Sequence, residues 1–382
     1  MSDLLRHSVN TQPHPRPRPQ PITISELDEH SSSDSSASSA DSLASVNTVR
    51  PSSREQSAPP THWTNYLDQE LYLDKDFGGG HAKYHVYLTP PTDVKKGPLF
   101  ICHHGAGASG LSFAVFAHEV RKKLPDAGIL SLEARGHGSV VNGVDNAKVV
   151  DFSINALTAD ALAMITLTKD KLGWSTIPPS VLVGHSLGGA VVTELAISHW
   201  QTFGSSLIGY CVIDVVEGSA LEALAHMKTY LSSRPSMFNS IDEAIHWHTR
   251  SRTIRDPESA KVSVPSLLTQ AHSGKYIWKT DLNATTPWWE DWFKGMSQKF
   301  LKGRGAKMLI LAGTDRLDKD LMIGQMQGKF QLVVLPEAGH FVQEDVPEKT
   351  AQLLVEFFRR NDRSALVLPP KVSDLLAQGK KV

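Results

Sequence analysis

Ser186 stands in Gly184-His185-Ser186-Leu187-Gly188, a G-x-S-x-G pattern whose flanks suit nucleophilic catalysis. Ser180-Val181-Leu182-Val183 before it is short, apolar and β-branched. Gly189-Ala190-Val191-Val192-Thr193-Glu194-Leu195-Ala196 after it is small and helix-compatible. A strand, a sharp turn and a helix would hold the serine in a strained backbone conformation, its hydroxyl above a sheet. Glycines are needed beside it, because a side chain there would collide with the adjacent strand and helix. A bare G-x-S-x-G is also an ordinary glycine turn, so the flanks carry the reading.

Serine is a poor nucleophile at neutral pH. It needs a base within hydrogen-bond reach, a carboxylate to orient that base, and donors for the developing oxyanion. Around such an elbow the chain order is serine, acid, histidine. Leu335-Pro336-Glu337-Ala338-Gly339-His340-Phe341 offers a histidine in a loop after a strand, and His340 is the last of the seventeen histidines. No competitor follows it, so His340 is the expected general base. Two strand ends offer the acid. Asp214 follows Cys211-Val212-Ile213, and Asp315 follows Leu311-Ala312-Gly313-Thr314. Pattern alone slightly favours Asp315, on the later strand; the other aspartate would then serve a turn or cap. The oxyanion donors are expected to be the backbone N–H groups of Leu187 and Ala106. Gly105 and Gly107 let that second loop approach a substrate closely. Adjacent His103 and His104 point to opposite faces of a strand, so no metal site is expected. Arg135 is read as the structural partner of an acid such as Asp160 in preference to a substrate ligand.

The elements that must position these residues follow from periodicity. Strands are predicted at 85–88, 98–103, 129–133, 180–183, 207–213, 308–312 and 331–335. Helices are predicted after the elbow, at 157–171 and at 347–359. Apolar strands alternating with helices mean an α/β fold, with a mainly parallel sheet covered on both faces. Between about 218 and 305 no convincing core strand appears, only helical patterns at 220–231 and 241–249 and an irregular aromatic stretch. That segment is expected to cap the active-site end of the sheet. It carries Trp247, Trp278, Trp288, Trp289 and Trp292, five of the eight tryptophans. The preferred reading makes them the cap's own small core; the alternative exposes some to grip a partner.

The domain organisation is therefore a tail over 1–60, a folded domain over 61–360, and a second tail over 361–382. The first tail holds five prolines between Pro13 and Pro21 and eleven serines between Ser31 and Ser53. Such a segment buries too little apolar surface to offset its ordering entropy, so disorder is expected. With 39 basic and 40 acidic residues, the 382-residue chain has no charge excess to attract nucleic acid or a membrane surface. No apolar run reaches the roughly 18 residues of a membrane span, and the start lacks a secretory signal. Cys102 and Cys211, the only two cysteines, lie in apolar strand-like runs. They are read as packed free thiols, which points to the cytosol or nucleus.

Several further segments occur in a particular order. They are Val212-Ile213-Asp214-Val215-Val216-Glu217-Gly218, Leu311 to Asp320, Ile323-Gly324-Gln325-Met326-Gln327-Gly328-Lys329-Phe330, and Gly339-His340 with Glu344-Asp345. Together with the elbow they resemble the protein phosphatase methylesterases, a branch of the α/β-hydrolases, from about Trp63 to Arg359. The resemblance implies an α/β-hydrolase fold. It also implies a serine esterase that takes the methyl ester from the C-terminal leucine of the type 2A phosphatase catalytic subunit. It places the acid in the Asp-Val-Val-Glu-Gly segment, moving that role to Asp214 and leaving Asp315 structural. Such acyl transfer needs no cofactor. Alanines in His104-Gly105-Ala106-Gly107-Ala108 depart from the glycine or serine common in relatives. A general small-ester carboxylesterase, or a non-catalytic binding module on the same fold, are the other readings.

Overall fold

Successive residues of the central strands feed opposite faces of one sheet, and each face is apolar. In Leu99-Phe100-Ile101-Cys102, Leu99 and Ile101 join one buried cluster while Phe100 and Cys102 join the other. Such strands are buried on both sides and read as continuous apolar runs, which is why the sequence marks them clearly. The structure, a computed structural model, describes residues 61–144, 149–313 and 317–362. The tail assigned to 1–60, the end of the chain beyond 362, and Asp315 lie outside the described residues.

Among the described residues, nine strands form the central sheet. They are β1 (Gln69–Phe77), β2 (Gly80–Thr89), β3 (Leu99–His103), β4 (Gly128–Glu133), β5 (Val140–Asn142), β6 (Ser180–His185), β7 (Leu207–Ile213), β11 (Ala306–Leu311) and β12 (Gln331–Val334). Strands β8 to β10 belong to the cap, below. The order is β1-β2-β4-β3-β6-β7-β11-β12, with β5 beside β2. From β4 to β12 every pairing is parallel; β1, β2, β4 and β5 pair antiparallel.

Helix α1 (Ala114–Lys123) and the closing helix Pro347–Asn361 cover one face, with Phe116, Val120, Leu354 and Phe357 buried. Helices α2 (Ile154–Lys171) and α3 (Leu187–Ser198) cover the other, with Leu157, Met164, Val191 and Leu195 buried. Ser153 caps α2 by accepting from the Ala156 N–H. Two features escaped the sequence reading. The β1–β2 hairpin turns through Gly78 (φ 40°) and Gly79 (φ 91°), a positive-φ pair suited to a two-residue loop. Helix α1 is the crossover that joins β3 to its parallel neighbour β4 across one face of the sheet.

The insertion between β7 and β11 carries α4 (Glu217–Ser233) and α5 (Ile241–Arg250), near the predicted helices. It also contains a small antiparallel sheet of β8 (Met237–Phe238), β9 (Leu268–Gln270) and β10 (Tyr276–Trp278). The segment read as helical and irregular, without a core strand, thus also holds a small sheet that is separate from the central one. Strands of two or three residues carry too little alternation to be read. The tryptophans divide. Trp289 and Trp292 are buried in the main core cluster, and the Trp292 indole donates to the Phe152 carbonyl at 2.7 Å. Trp247 and Trp278 pack with Phe238 in a separate cap cluster. None of the five is exposed. Cys102 and Cys211 are buried and free. No helix among the described residues is long and apolar enough to cross a membrane.

Backbone crowding at the elbow gives a direct test. A Cβ on Gly188 would lie 2.1 Å from the His103 carbonyl oxygen, whereas one on Gly218 meets nothing closer than 3.7 Å. Gly188→Ala is expected to cost about 3 kcal/mol or more in urea unfolding. Gly218→Ala should stay within about 0.5 kcal/mol of the parent chain.

Candidate active site

The nucleophile turn is as tight as its glycines imply. Ser186, between β6 and α3, has φ 52° and ψ −121°. For a residue with a side chain that conformation costs roughly 1–3 kcal/mol and persists only where its surroundings enforce it. The enforcement is visible. The Ser186 N–H bonds the Ile213 carbonyl at 3.0 Å, and a Cβ on Gly184 would sit 2.1 Å from the Gly188 oxygen. Strand β3 on one side and β7 on the other leave room only for bare backbone.

Asp214 ends β7, the neighbouring strand, and is itself at φ 51°. Its N–H bonds the Ile310 carbonyl at 2.7 Å, and its Oδ1 accepts from the Ala312 N–H at 2.9 Å. Its side chain is 0% exposed. His340 Nδ1 lies 2.8 Å from Asp214 Oδ2. The carboxylate accepts there, which places the proton on Nδ1 and leaves Nε2 as the basic atom. Ser186, Asp214 and His340 all line one largely apolar cavity of about 150 Å³. Among the described residues Ser186 Oγ makes no hydrogen bond within 3.5 Å; in unliganded sites this link is often long.

The expected oxyanion donors face the same cavity. Leu187 is the first residue of α3, so its N–H has no partner one turn back. The Ala106 N–H makes no hydrogen bond among the described residues. Its neighbour is tied down: the Gly107 N–H donates to His137 Nε2 at 2.9 Å. His137 Nδ1 in turn donates to the Arg135 carbonyl. Arg135 forks onto Asp160, whose Oδ1 also accepts from the Tyr84 hydroxyl at 2.8 Å. The 135–139 loop thus braces the oxyanion loop from below. His103 and His104 are buried and bond local backbone carbonyls, and His104 Nε2 accepts from the Ala134 N–H at 3.0 Å.

Two positioning contacts escaped the sequence reading. His185, inside the motif itself, donates from Nε2 to the His340 carbonyl at 2.8 Å and so ties the nucleophile strand to the base loop. Burial and the neighbouring His340 pull its pKa down to about 3, so the ring is neutral. Asp345 accepts from the Gly339 N–H at 2.6 Å and the Arg255 N–H at 2.7 Å, while Arg255 also donates to the Glu337 carbonyl. In the sequence Asp345 stands out only as part of a resemblance. A second cavity of about 770 Å³, beside Glu70, His85 and Lys279, does not include Ser186.

A model of the alpha/beta hydrolase family matches residues 100–353. The solved structure of E-2-(acetamidomethylene)succinate hydrolase superposes with a TM-score of 0.58 at 17% identity, covering 76% of this chain and 100% of that one. Fold, elbow and family match define an α/β-hydrolase. Protein phosphatase methylesterase 1 of Neurospora crassa is 52% identical, across 91% of this chain and 88% of its own. Its counterpart in Aspergillus fumigatus is 54% identical, across 88% and 83%. The chain belongs to the protein phosphatase methylesterase family, and is thereby a carboxylic ester hydrolase.

The base loop hangs on Asp345, so Asp345→Ala should let His340 drift. A displacement of about 1 Å costs up to about 100-fold, and a fall of roughly 10- to 100-fold in kcat for an activated ester is expected, with far-ultraviolet circular dichroism unchanged. Unaltered kcat would remove Asp345 from the positioning scheme.

The site's buried groups also set a pH dependence. Burial holds His103, His137 and His248 near 4 and His185 near 3, and depresses His104 well below its ordinary value. The unfolded chain takes up these protons below about 6.5. Their contribution, complete above that pH, is lost as pH falls toward 4. Burial raises Glu133 to about 7 and also raises Glu344 and Asp345. These acids keep protons in the native state that the unfolded chain has released, which opposes the histidines. Five groups outweigh three, so the thermal midpoint should drop between pH 7 and pH 5; a rise would contradict the burial argument.

Proposed function

We propose that the chain is a serine methylesterase that removes the methyl ester from the C-terminal leucine of the type 2A protein phosphatase catalytic subunit. The observation that carries this reading is the 2.8 Å bond between His340 Nδ1 and the buried Asp214 carboxylate, in the cavity that the strained Ser186 also lines. The relatives' name supplies the methyl ester and the phosphatase. The finer identity of the substrate rests on the resemblance of the Asp214–Gly218 and Ile323–Phe330 segments.

In this reading His340 Nε2 takes the Ser186 proton as Oγ attacks the ester carbonyl. The carbonyl π electrons move onto oxygen, and the Leu187 and Ala106 N–H groups hold that oxyanion. Collapse of the tetrahedral species breaks the bond to methoxide, which leaves as methanol with the proton from His340. Water, deprotonated by the same imidazole, then attacks the acyl-enzyme. The leucine carboxylate leaves and Ser186 regains its proton. Asp214 orients the ring and stabilises the imidazolium formed in each half. A methyl group offers little binding energy, so selectivity comes from the polypeptide held against the cap. The chain acts in the cytosol or nucleus, consistent with two buried free thiols.

The test is demethylation of the methylated phosphatase subunit, followed by methanol release. Ser186→Ala should abolish it along with fluorophosphonate labelling of the protein. Asp214→Asn should lower kcat by about 10⁴-fold, the scale found when a triad acid is neutralised. Asp315→Asn should stay close to the parent. An unlabelled parent chain would end the serine-hydrolase reading, and a reversal of the two aspartate results would reassign the acid.

A further inference from the structure

The cavity that Ser186 lines also contains a cation with no counter-charge among the described residues. Arg234 follows directly on the last residue of α4 and lines that cavity. Its guanidinium lies over the Trp278 ring, 4.4 Å from the centroid, and 5.8 Å from that of Tyr230. Trp278 is fixed in turn, its indole N–H donating to the Pro235 carbonyl at 2.8 Å. The aromatic faces hold the guanidinium in place and leave its N–H edge unused. Among the described residues Arg234 has neither a hydrogen-bond acceptor nor an ion-pair partner, and its Nε is buried without one.

The carboxylates that line the cavity are already committed. Asp214 serves His340, and Glu344 accepts from the Ser263 hydroxyl at 2.5 Å while burial drives its pKa well up. Burial lowers the Arg234 pKa, a sign that the fold holds this charge at a cost in solvation. Leaving charged N–H donors unpaired in an apolar cavity is unfavourable unless an anion arrives to meet them.

We propose that Arg234 is a specificity residue that receives an acidic side chain of the substrate polypeptide, upstream of the esterified residue. This rests on the esterase reading above, and the geometry adds where the anion lies. Helix α4 begins three residues after Asp214 and runs 17 residues to Ser233. At about 1.5 Å per residue it spans about 25 Å, so Arg234 stands at the end of the helix remote from the triad. The ester is neutral, and its acyl group sits at Ser186. The anion at Arg234 must therefore come from another part of the same chain. An extended peptide advances about 3.3 Å per residue, which puts that acidic residue several positions before the C-terminus.

The experiment uses the full chain and peptides ending in leucine amide, which cannot be hydrolysed as esters. Each peptide carries one Glu, moved position by position, and is paired with its Gln counterpart. Calorimetry then gives Kd for the parent chain, Arg234→Gln and Arg234→Lys. At one upstream position the parent should bind the Glu peptide about tenfold or more tighter than the Gln peptide, as charge-assisted pairing implies. Arg234→Gln should bring that ratio near one, and Arg234→Lys should keep part of it. Equal binding of Glu and Gln peptides by the parent at every position would overturn the proposal. So would a ratio that survives in Arg234→Gln. An equal loss for both peptides would overturn it too, because that is what a purely structural stacking role predicts. The esterase reading is checked separately, by turnover of a small activated ester on the same preparations. Its failure would leave the binding ratio readable.

Discussion

Backbone packed against backbone around Gly184 and Gly188 is the constraint on which the site depends. A Cβ on either glycine would stand 2.1 Å from a carbonyl oxygen, closer than atoms tolerate. That contact lets α3 start immediately after β6 and forces Ser186 to φ 52°. The hydroxyl is thereby lifted off the sheet, and the first turn of α3 is aimed at the same point. Nucleophile and one oxyanion donor thus come from a single packing decision.

The other parts arrive on separate loops, and each is fixed by its own small set of polar contacts. Asp214 is gripped through its N–H by β11 and through its Oδ1 by the Ala312 N–H, so its second oxygen is directed at His340. The base loop is held by Asp345 and Arg255, and by His185 from the strand beneath the nucleophile. The oxyanion loop rests on His137, which rests on the Arg135–Asp160–Tyr84 cluster. Neutral buried histidines recur in these contacts because an imidazole donates from one nitrogen and accepts at the other while carrying no charge.

What the sequence made legible follows this division. The parallel strands were readable because each is apolar on both faces. Ser186 and His340 were readable because motif and chain order leave them few rivals. The acid was not: Asp214 and Asp315 both follow apolar strands, pattern alone leans slightly to Asp315, and it takes a resemblance to move the role to Asp214. The β1–β2 hairpin escaped notice because β1 is largely exposed and reads as polar. The β8–β10 sheet escaped because its strands are two or three residues long. His137 and His185 were visible as residues, but their roles depend on neighbours 30 and 155 positions away. Arg135 is the instructive exception, since pairing with an acid such as Asp160 is the role preferred from the sequence, and in the structure its buried guanidinium does find that carboxylate. Among the described residues, Arg234 departs from that same rule.

Strand register also fixes where the sulfur sits. Cys102 on β3 and Cys211 on β7 are both aligned with Val183 of the strand between them. Two interstrand steps separate their backbones by roughly 9–10 Å, past the reach of a crosslink. Burial also pushes both thiols far from ionising. An alkylating reagent can meet them only after the middle of the sheet has parted, beneath the nucleophile itself. Their rate of modification therefore counts openings of the innermost strands, a clock that the fold carries without any added label.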